Sequence, residues 1–214
     1  MIKRKRPLSA VHCKAFTLVE LLLALIVAGI VSAAVVTLAY AVSTANDVSD
    51  NTSQTQAYVR YTTLRISELI RHCKLVCGMS GDDLAVWRAD DNADGQINPR
   101  ELVYIEMGTG RDYVRLLDFP SAGDWLVTLS SILSGTAKQE LTLVCDERQT
   151  PLVPECSNAQ IVLDSSPPWS KLVSLSFDLV ENGAVRRYQV NAALHGWSGY
   201  LLDDSGDVIN SDDD

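Results

Sequence analysis

Beyond Lys14 the sequence has no dense group of basic residues, and that gap excludes the commonest acidic ligands. Nucleic-acid binding needs clustered Lys and Arg to meet phosphates, whereas this 214-residue chain carries a net charge of −9. Its one tight set of cations, Lys3, Arg4, Lys5, Arg6 and Lys14, precedes Phe16 with no acid among them. The rest of the chain is therefore more acidic still, and no nucleic-acid partner is expected. Catalytic signatures are also missing. There is no Walker A sequence, dinucleotide glycine pattern or zinc-protease motif. Gly196-Trp197-Ser198-Gly199 misses the nucleophile-elbow spacing by one residue. Beyond the leader only His72 and His195 offer an imidazole, and His195 reads as flanking a final strand. Asp82-Asp83 and similar pairs read as solvated loop acids. No enzyme is expected; an anchored hydrolase would need an active site assembled only by folding.

Cysteine is scarce, with five in all. Cys13 lies in the basic leader, leaving Cys73, Cys77, Cys145 and Cys156. An even number in an exported chain suggests disulfides. Cys145 and Cys156 bracket a proline-containing loop and form one candidate pair. Cys73 and Cys77 stand one helical turn apart, so their bonding requires the helix to be ending. Zinc is disfavoured, because His72 is the only imidazole near any of the four.

What the sequence does contain is a long apolar run. From Phe16 to about Val42 it is almost wholly apolar, about 27 residues or roughly 40 Å as a helix, enough to span a bilayer. A secretory signal has a shorter apolar core and then a small-residue cleavage site. The basic flank should stay cytoplasmic and send the remainder outward. Cys13 precedes the run and follows Ala10-Val11-His12, which excludes a lipoprotein signal. Near the start of this run sits Glu20. A charge within hydrocarbon costs roughly 2.5–3.5 kcal/mol on insertion scales, so it needs a partner. A cut between Ala15 and Phe16 would supply one: a new ammonium at Phe16, with Glu20 as the fifth residue.

Lys14-Ala15-Phe16-Thr17-Leu18-Val19-Glu20-Leu21-Leu22 resembles the signal of type IV prepilins and type II secretion pseudopilins. The resemblance implies that a prepilin peptidase removes the leader after Ala15 and methylates Phe16. It also implies that Glu20 aids docking of a subunit by pairing with the amino terminus of one already in the filament. The family usually has Gly before the cut, where this chain has Ala15. The implied partners are homologous pilin or pseudopilin subunits, the peptidase and membrane lipid.

After a polar stretch at residues 43–56, apolar positions Val59, Ile66, Leu69, Ile70, Cys73 and Cys77 recur at helical spacing. They predict that the membrane helix continues to about Leu75, with Gly78 as its stop. Strands are expected at residues 84–87, 102–105 and 113–117. The strongest hairpin signal is Asn182-Gly183, which would set Tyr188 opposite Phe177 and Val190 opposite Leu175. Residues 121–166 are less readable, with a short helix expected near residues 125–133. Pro167-Pro168 marks a break.

Between the first two strands lies DDNADGQINPRE. Asp90, Asn92 and Asp94 fill positions one, three and five of the calcium-loop template. Gly95 fills six, the Gln96 carbonyl seven, Asn98 nine and Glu101 the bidentate twelfth. Strand-like flanks, LAVWRAD and ELVYIEM, replace the helix pair of a sensor. One structural Ca²⁺ is therefore expected; the alternative is an acidic turn on an acidic surface.

The expected fold is α+β and pilin-like, a long N-terminal helix packed on an antiparallel head with a calcium loop. Residues 1–15 form a cleaved leader, 16–42 the transmembrane and filament-core helix, and 43–77 its amphipathic continuation. Residues 78–200 form the head and 201–214 an acidic, disordered tail. The expected role is a minor pilin or pseudopilin, with a head size similar to the J class. Its location is the inner membrane, single-pass, with a cytoplasmic N-terminus and a periplasmic or extracellular head. The alternative is a tethered calcium-binding recognition module that never polymerises.

Overall fold

Thr17 opens the described chain, and a continuous helix, α1 (Leu18–His72), follows it. The computed structural model describes residues 17–196 together with Tyr200, Leu202, Asp203 and Val208. The leader, Ala15 and Phe16 lie outside the described residues. The chain divides into two compact units, residues 1–49 and 50–214. In the first, every described residue is exposed, the apolar part of α1 included. It is the one stretch among the described residues long and apolar enough to cross a membrane, with a mean hydropathy of 2.8 in its best window.

The second unit takes up α1 from Asp50. Thr62, Ile66 and Ile70, spaced by four, form its buried stripe, with Val59 and Leu69 packed beside them. The helix ends at His72, earlier than its apolar pattern predicts. Cys73 N–H closes the last turn on Leu69 O at 2.9 Å, and Lys74 N–H already donates to Trp87 O at 2.8 Å. Leu75–Ser80 is a strand, β1. Gly78 does not stop the helix. It follows a register shift in β1, and a Cβ there would lie 2.8 Å from Leu133 Cδ2. It is the close-approach point for a helix.

Strands β1, β2 (Asp83–Trp87), β3 (Leu102–Met107), β4 (Val114–Asp118) and β5 (Arg148–Val153) form one antiparallel sheet in sequence order. Strands β6 (Ser157–Leu163), β7 (Leu172–Glu181) and β8 (Ala184–Ala193) form a second. The sequence hides β5 because Pro151 interrupts it; an edge strand tolerates a residue that cannot donate to the ladder. The β7–β8 register is the one expected, with Phe177 opposite Tyr188 and Leu175 opposite Val190. Asn182 and Gly183 turn with φ of 51° and 78°, the left-handed pair a tight hairpin requires.

Alternation along the five-stranded sheet sorts side chains into two cores. Val76, Leu84, Val86, Val103 and Ile105 join Ile66 and Ile70 of α1 and the inner face of the second sheet, including Phe177. Leu75, Ala85, Trp87, Leu102 and Tyr104 face the other way, onto Leu129 and Ile132 of α2 (Leu129–Ser134) and Ala137 and Leu141 of α3 (Thr136–Val144). Leu202, within the segment expected to be a solvated tail, is buried in this second core, and Val208 packs against it. A long helix followed by antiparallel sheets is an α+β, pilin-like arrangement.

One ionic network ties α3 to the sheet. Lys138 Nζ lies 2.6 Å from Asp83 Oδ2 and 2.7 Å from Glu106 Oε1, and Arg115 also pairs with Glu106. Burial alone would raise the Glu106 carboxyl, but hydrogen bonds from Arg115 and Lys138 hold it below its ordinary value. A carboxylate depressed in the folded state stabilises the fold above its unfolded value, about 4.3, and loses that contribution as pH falls through the lower folded value. Glu106→Gln is therefore expected to cost about 1–2 kcal/mol at neutral pH. Denaturant unfolding of both proteins across pH should show that gap narrowing in acid.

Candidate functional site

Two local arrangements carry chemistry. The first is the start of α1. Thr17 precedes the first helical residue and Glu20 is the third, a T-x-x-E capping box. Thr17 N–H donates to Glu20 Oε2 at 3.3 Å, and Glu20 N–H donates to Thr17 Oγ1 at 3.3 Å. The Thr17 hydroxyl adds a contact of 3.2 Å to the same carboxylate oxygen. Glu20 thus has a local partner in Thr17, besides any ammonium. The signal was present as Thr17-Leu18-Val19-Glu20. The carboxylate also lies at the positive end of the helix dipole.

The second arrangement is the loop between β2 and β3. It turns through left-handed residues, Ala93 at φ 60° and Gly95 at φ 69°, and closes with a 3-10 turn, Pro99–Glu101. Ile97 is buried in the second core, and its carbonyl accepts Val127 N–H at 2.8 Å. The loop is thereby pinned to the segment leading into α2. No helix pair flanks it, as the sequence predicts.

Its polar groups interlock. Asp90 accepts Asp94 N–H at 3.1 Å on Oδ1 and Gly95 N–H at 3.3 Å on Oδ2. Asp94 accepts Gln96 N–H at 2.8 Å, and the side-chain amides of Asn92 and Asn98 donate to it at 2.8 and 2.9 Å. Slight burial would raise the Asp94 carboxyl, but the Asn98, Gln96 and Asn92 donors hold it below its ordinary value. Glu101 is fully buried. It accepts Trp87 Nε1–H at 3.0 Å, Asp91 N–H at 2.7 Å and Asn98 N–H at 3.3 Å. All three donors are neutral, and no cationic side chain pairs with Glu101 among the described residues. Lys74 instead pairs with Asp90 at 2.8 Å. Trp87 and Lys74 are the residues at this site that the loop template does not reveal, because neither belongs to the motif.

Among the described residues, no three His, Cys, Asp or Glu side chains converge in a way that could hold a metal ion. Asp90 is drawn toward Lys74, while Glu101 is held by Trp87. The donor chemistry nonetheless suits a hard cation, being carboxylate, amide and carbonyl oxygen with no thiol or imidazole.

The candidate disulfides do not form: Cys73, Cys77, Cys145 and Cys156 are all free thiols. Each pair is split between the two cores. Cys73 and Cys156 belong with the α1 side, and Cys77 and Cys145 with the α2–α3 side. Burial pushes the Cys73 thiol up to about 12 and the Cys156 thiol up to about 11, and raises Cys77 as well. None of these three is a thiolate nucleophile near neutral pH. His195 follows β8, and its backbone N–H donates to Arg71 O at 3.0 Å.

Residues 11–36 match the family model of the prokaryotic N-terminal methylation motif. No curated protein and no solved structure matches the chain. The matched segment holds Ala15, Phe16, Thr17 and Glu20 and runs into the apolar part of α1. The chain carries a type IV pilin-like prepilin signal at its N-terminus.

Proposed function

We propose that this chain is a minor pilin or pseudopilin, a structural subunit of a type II secretion or type IV pilus-like filament. The observation that carries it is the methylation motif running directly into an exposed apolar helical segment. Such a surface is unfavourable in water and needs lipid or the helices of other subunits. The leader would be cut after Ala15, Phe16 methylated, and Glu20 set against the Phe16 amine of a neighbouring subunit. The basic leader favours a cytoplasmic N-terminus and an outward head. The head's size favours a J-like minor subunit over a small major one.

In the head, Asp90, Asn92, Asp94, Asn98 and Glu101 with the Gln96 carbonyl would hold one structural calcium ion. Bound calcium supplies positive charge to the three carboxylates. The chain's own residues do the rest: Ile97 anchors the loop, Trp87 orients Glu101, and the β2–β3 connection is fixed.

The capping box favours a second reading, a tethered module that does not polymerise, because Thr17 already gives Glu20 a role. Two substitutions separate the readings. Glu20→Gln keeps an acceptor for Thr17 but removes the charge, whereas Glu20→Ala removes both. In the filament subunit both variants should insert in the membrane, yet both should be lost from sheared or crosslinked filaments. Incorporation of Glu20→Gln at wild-type levels would reduce Glu20 to a cap. Mass spectrometry of the mature protein should find an N-terminus beginning at methylated Phe16; an intact leader would defeat the filament assignment.

Calcium has its own test. A site with a dissociation constant of about 10⁻⁴ M adds about 1.4 kcal/mol at about 1 mM calcium. Chelation should lower the melting temperature of the head by a few degrees, and Glu101→Gln should remove that dependence. A melting curve indifferent to calcium would exclude the ion.

A further inference from the structure

Lys74 lies outside the loop motif, yet it makes the closest contact to the loop's first ligand. Its Nζ is 2.8 Å from Asp90 Oδ2, with the two side chains 34% and 8% exposed. The same ammonium stands 4.9 Å from the centre of the Trp87 ring, a cation–π distance. Its position is fixed by the fold, since Lys74 N–H donates to Trp87 O at 2.8 Å where β1 begins. Lys74 is thus held between the first carboxylate of the loop and the indole that orients its last.

Asp90 has little spare capacity. Oδ1 receives Asp94 N–H, and Oδ2 receives both Gly95 N–H and the Lys74 ammonium. In the loop template the residue at position one is a direct ligand, so calcium needs an Asp90 oxygen lone pair. Binding must then displace the ammonium, or coexist with a positive charge a few ångströms away. Both effects oppose the ion.

We propose that Lys74 is a tethered competitor for calcium at Asp90 and makes the loop bind more weakly than its own ligand set would. The competition presupposes the calcium site proposed above. It accounts for the failure of the loop's carboxylates to converge, because Asp90 faces the start of β1 while Glu101 is held at Trp87 on β2. It also gives the loop an internal counter-ion, so that the β2–β3 connection keeps its shape when calcium is low. Affinity in this loop is set jointly by its six template ligands and by one lysine at the start of β1.

The test is calorimetric calcium titration of the full-length protein in detergent, comparing wild type with Lys74→Met, Lys74→Gln and Lys74→Arg. The methionine keeps an unbranched stem over the Trp87 ring, and the glutamine carries the same test should methionine disturb the fold. Removing the charge should tighten binding roughly three- to tenfold. Arginine keeps the charge and should stay within about twofold of wild type. The indole N–H resonance of Trp87, assigned with Trp87→Phe, should move with calcium in the wild type as Lys74 leaves the ring. Equal affinity in wild type and both neutral variants overturns the competition while leaving the calcium site standing. Weaker binding in the neutral variants overturns it too, since Lys74 would then support the loop. Absence of binding in every protein overturns the calcium site and the competition together.

Discussion

The head is organised by one sheet that must be dry on both faces. Strands β1, β2 and β3 carry apolar residues at nearly every position, and period-two geometry sends neighbours in opposite directions. Val86 goes to the α1 side and Trp87 to the α2–α3 side. Neither face can be left to solvent, so both layers of covering elements are obligatory. The buried stripe of α1 exists because the first face needs a lid. The short helices exist because the second face needs another. Gly78 permits that second layer to approach, since Leu133 occupies the space a Cβ would take.

The same two-faced sheet explains the polar architecture. Trp87 is a fully buried side chain whose indole N–H must find an acceptor. Glu101 provides it across the β2–β3 connection, and the 3-10 turn before β3 puts Glu101 there. The carboxylate is then buried in turn and collects two backbone N–H groups. A purely structural demand, satisfying one indole in the second core, has thereby drawn the last acid of the loop inward. Lys138 answers a parallel demand on the sheet, where Asp83 and Glu106 sit with side chains 17% and 13% exposed. Acids near this sheet are matched one by one, by cations or by aligned N–H donors.

Legibility in the sequence followed how local each cause was. The β7–β8 register could be read because a two-residue turn and a period of two fix it without outside help. The place of the loop between β2 and β3 could be read because β-rich runs flank it on both sides. The end of α1 could not. Its apolar pattern runs on through Cys73 and Cys77, and only the pairing of Lys74 with Trp87 converts that stretch to β1. Helical and strand spacing coincide over so short an apolar run. The cysteine pairs failed for a related reason: sequence spacing says nothing of which face of a sheet a thiol occupies. Strand β5 was hidden by Pro151, whose tolerance depends on an edge position that only the assembled sheet defines. Leu202 and Val208 were hidden by the acids around them, yet both side chains meet the second core. Lys74 and Trp87 escaped because a motif names its ligands and not the groups that orient or oppose them.

Glu20 shows how a local and a long-range cause can occupy one side chain. The capping box gives it one backbone N–H and one hydroxyl from Thr17, and caps of this kind contribute about 1 kcal/mol. An ionised carboxylate at membrane depth costs roughly 2.5–3.5 kcal/mol. Against that cost, which applies at the centre of a membrane helix, the cap and the helix dipole together leave a shortfall of about 1–2 kcal/mol. An aspartate or asparagine before the helix would cap it as well from a shallower position, so capping alone does not account for an acid at the third helical residue. The remaining deficit is of the size that one opposing charge in a low-dielectric setting can offset. In the filament subunit proposed above, a cation made at Phe16 by removal of the leader would be the nearest source in the sequence. A neighbour's amine would supply the same charge without bending the chain back on itself.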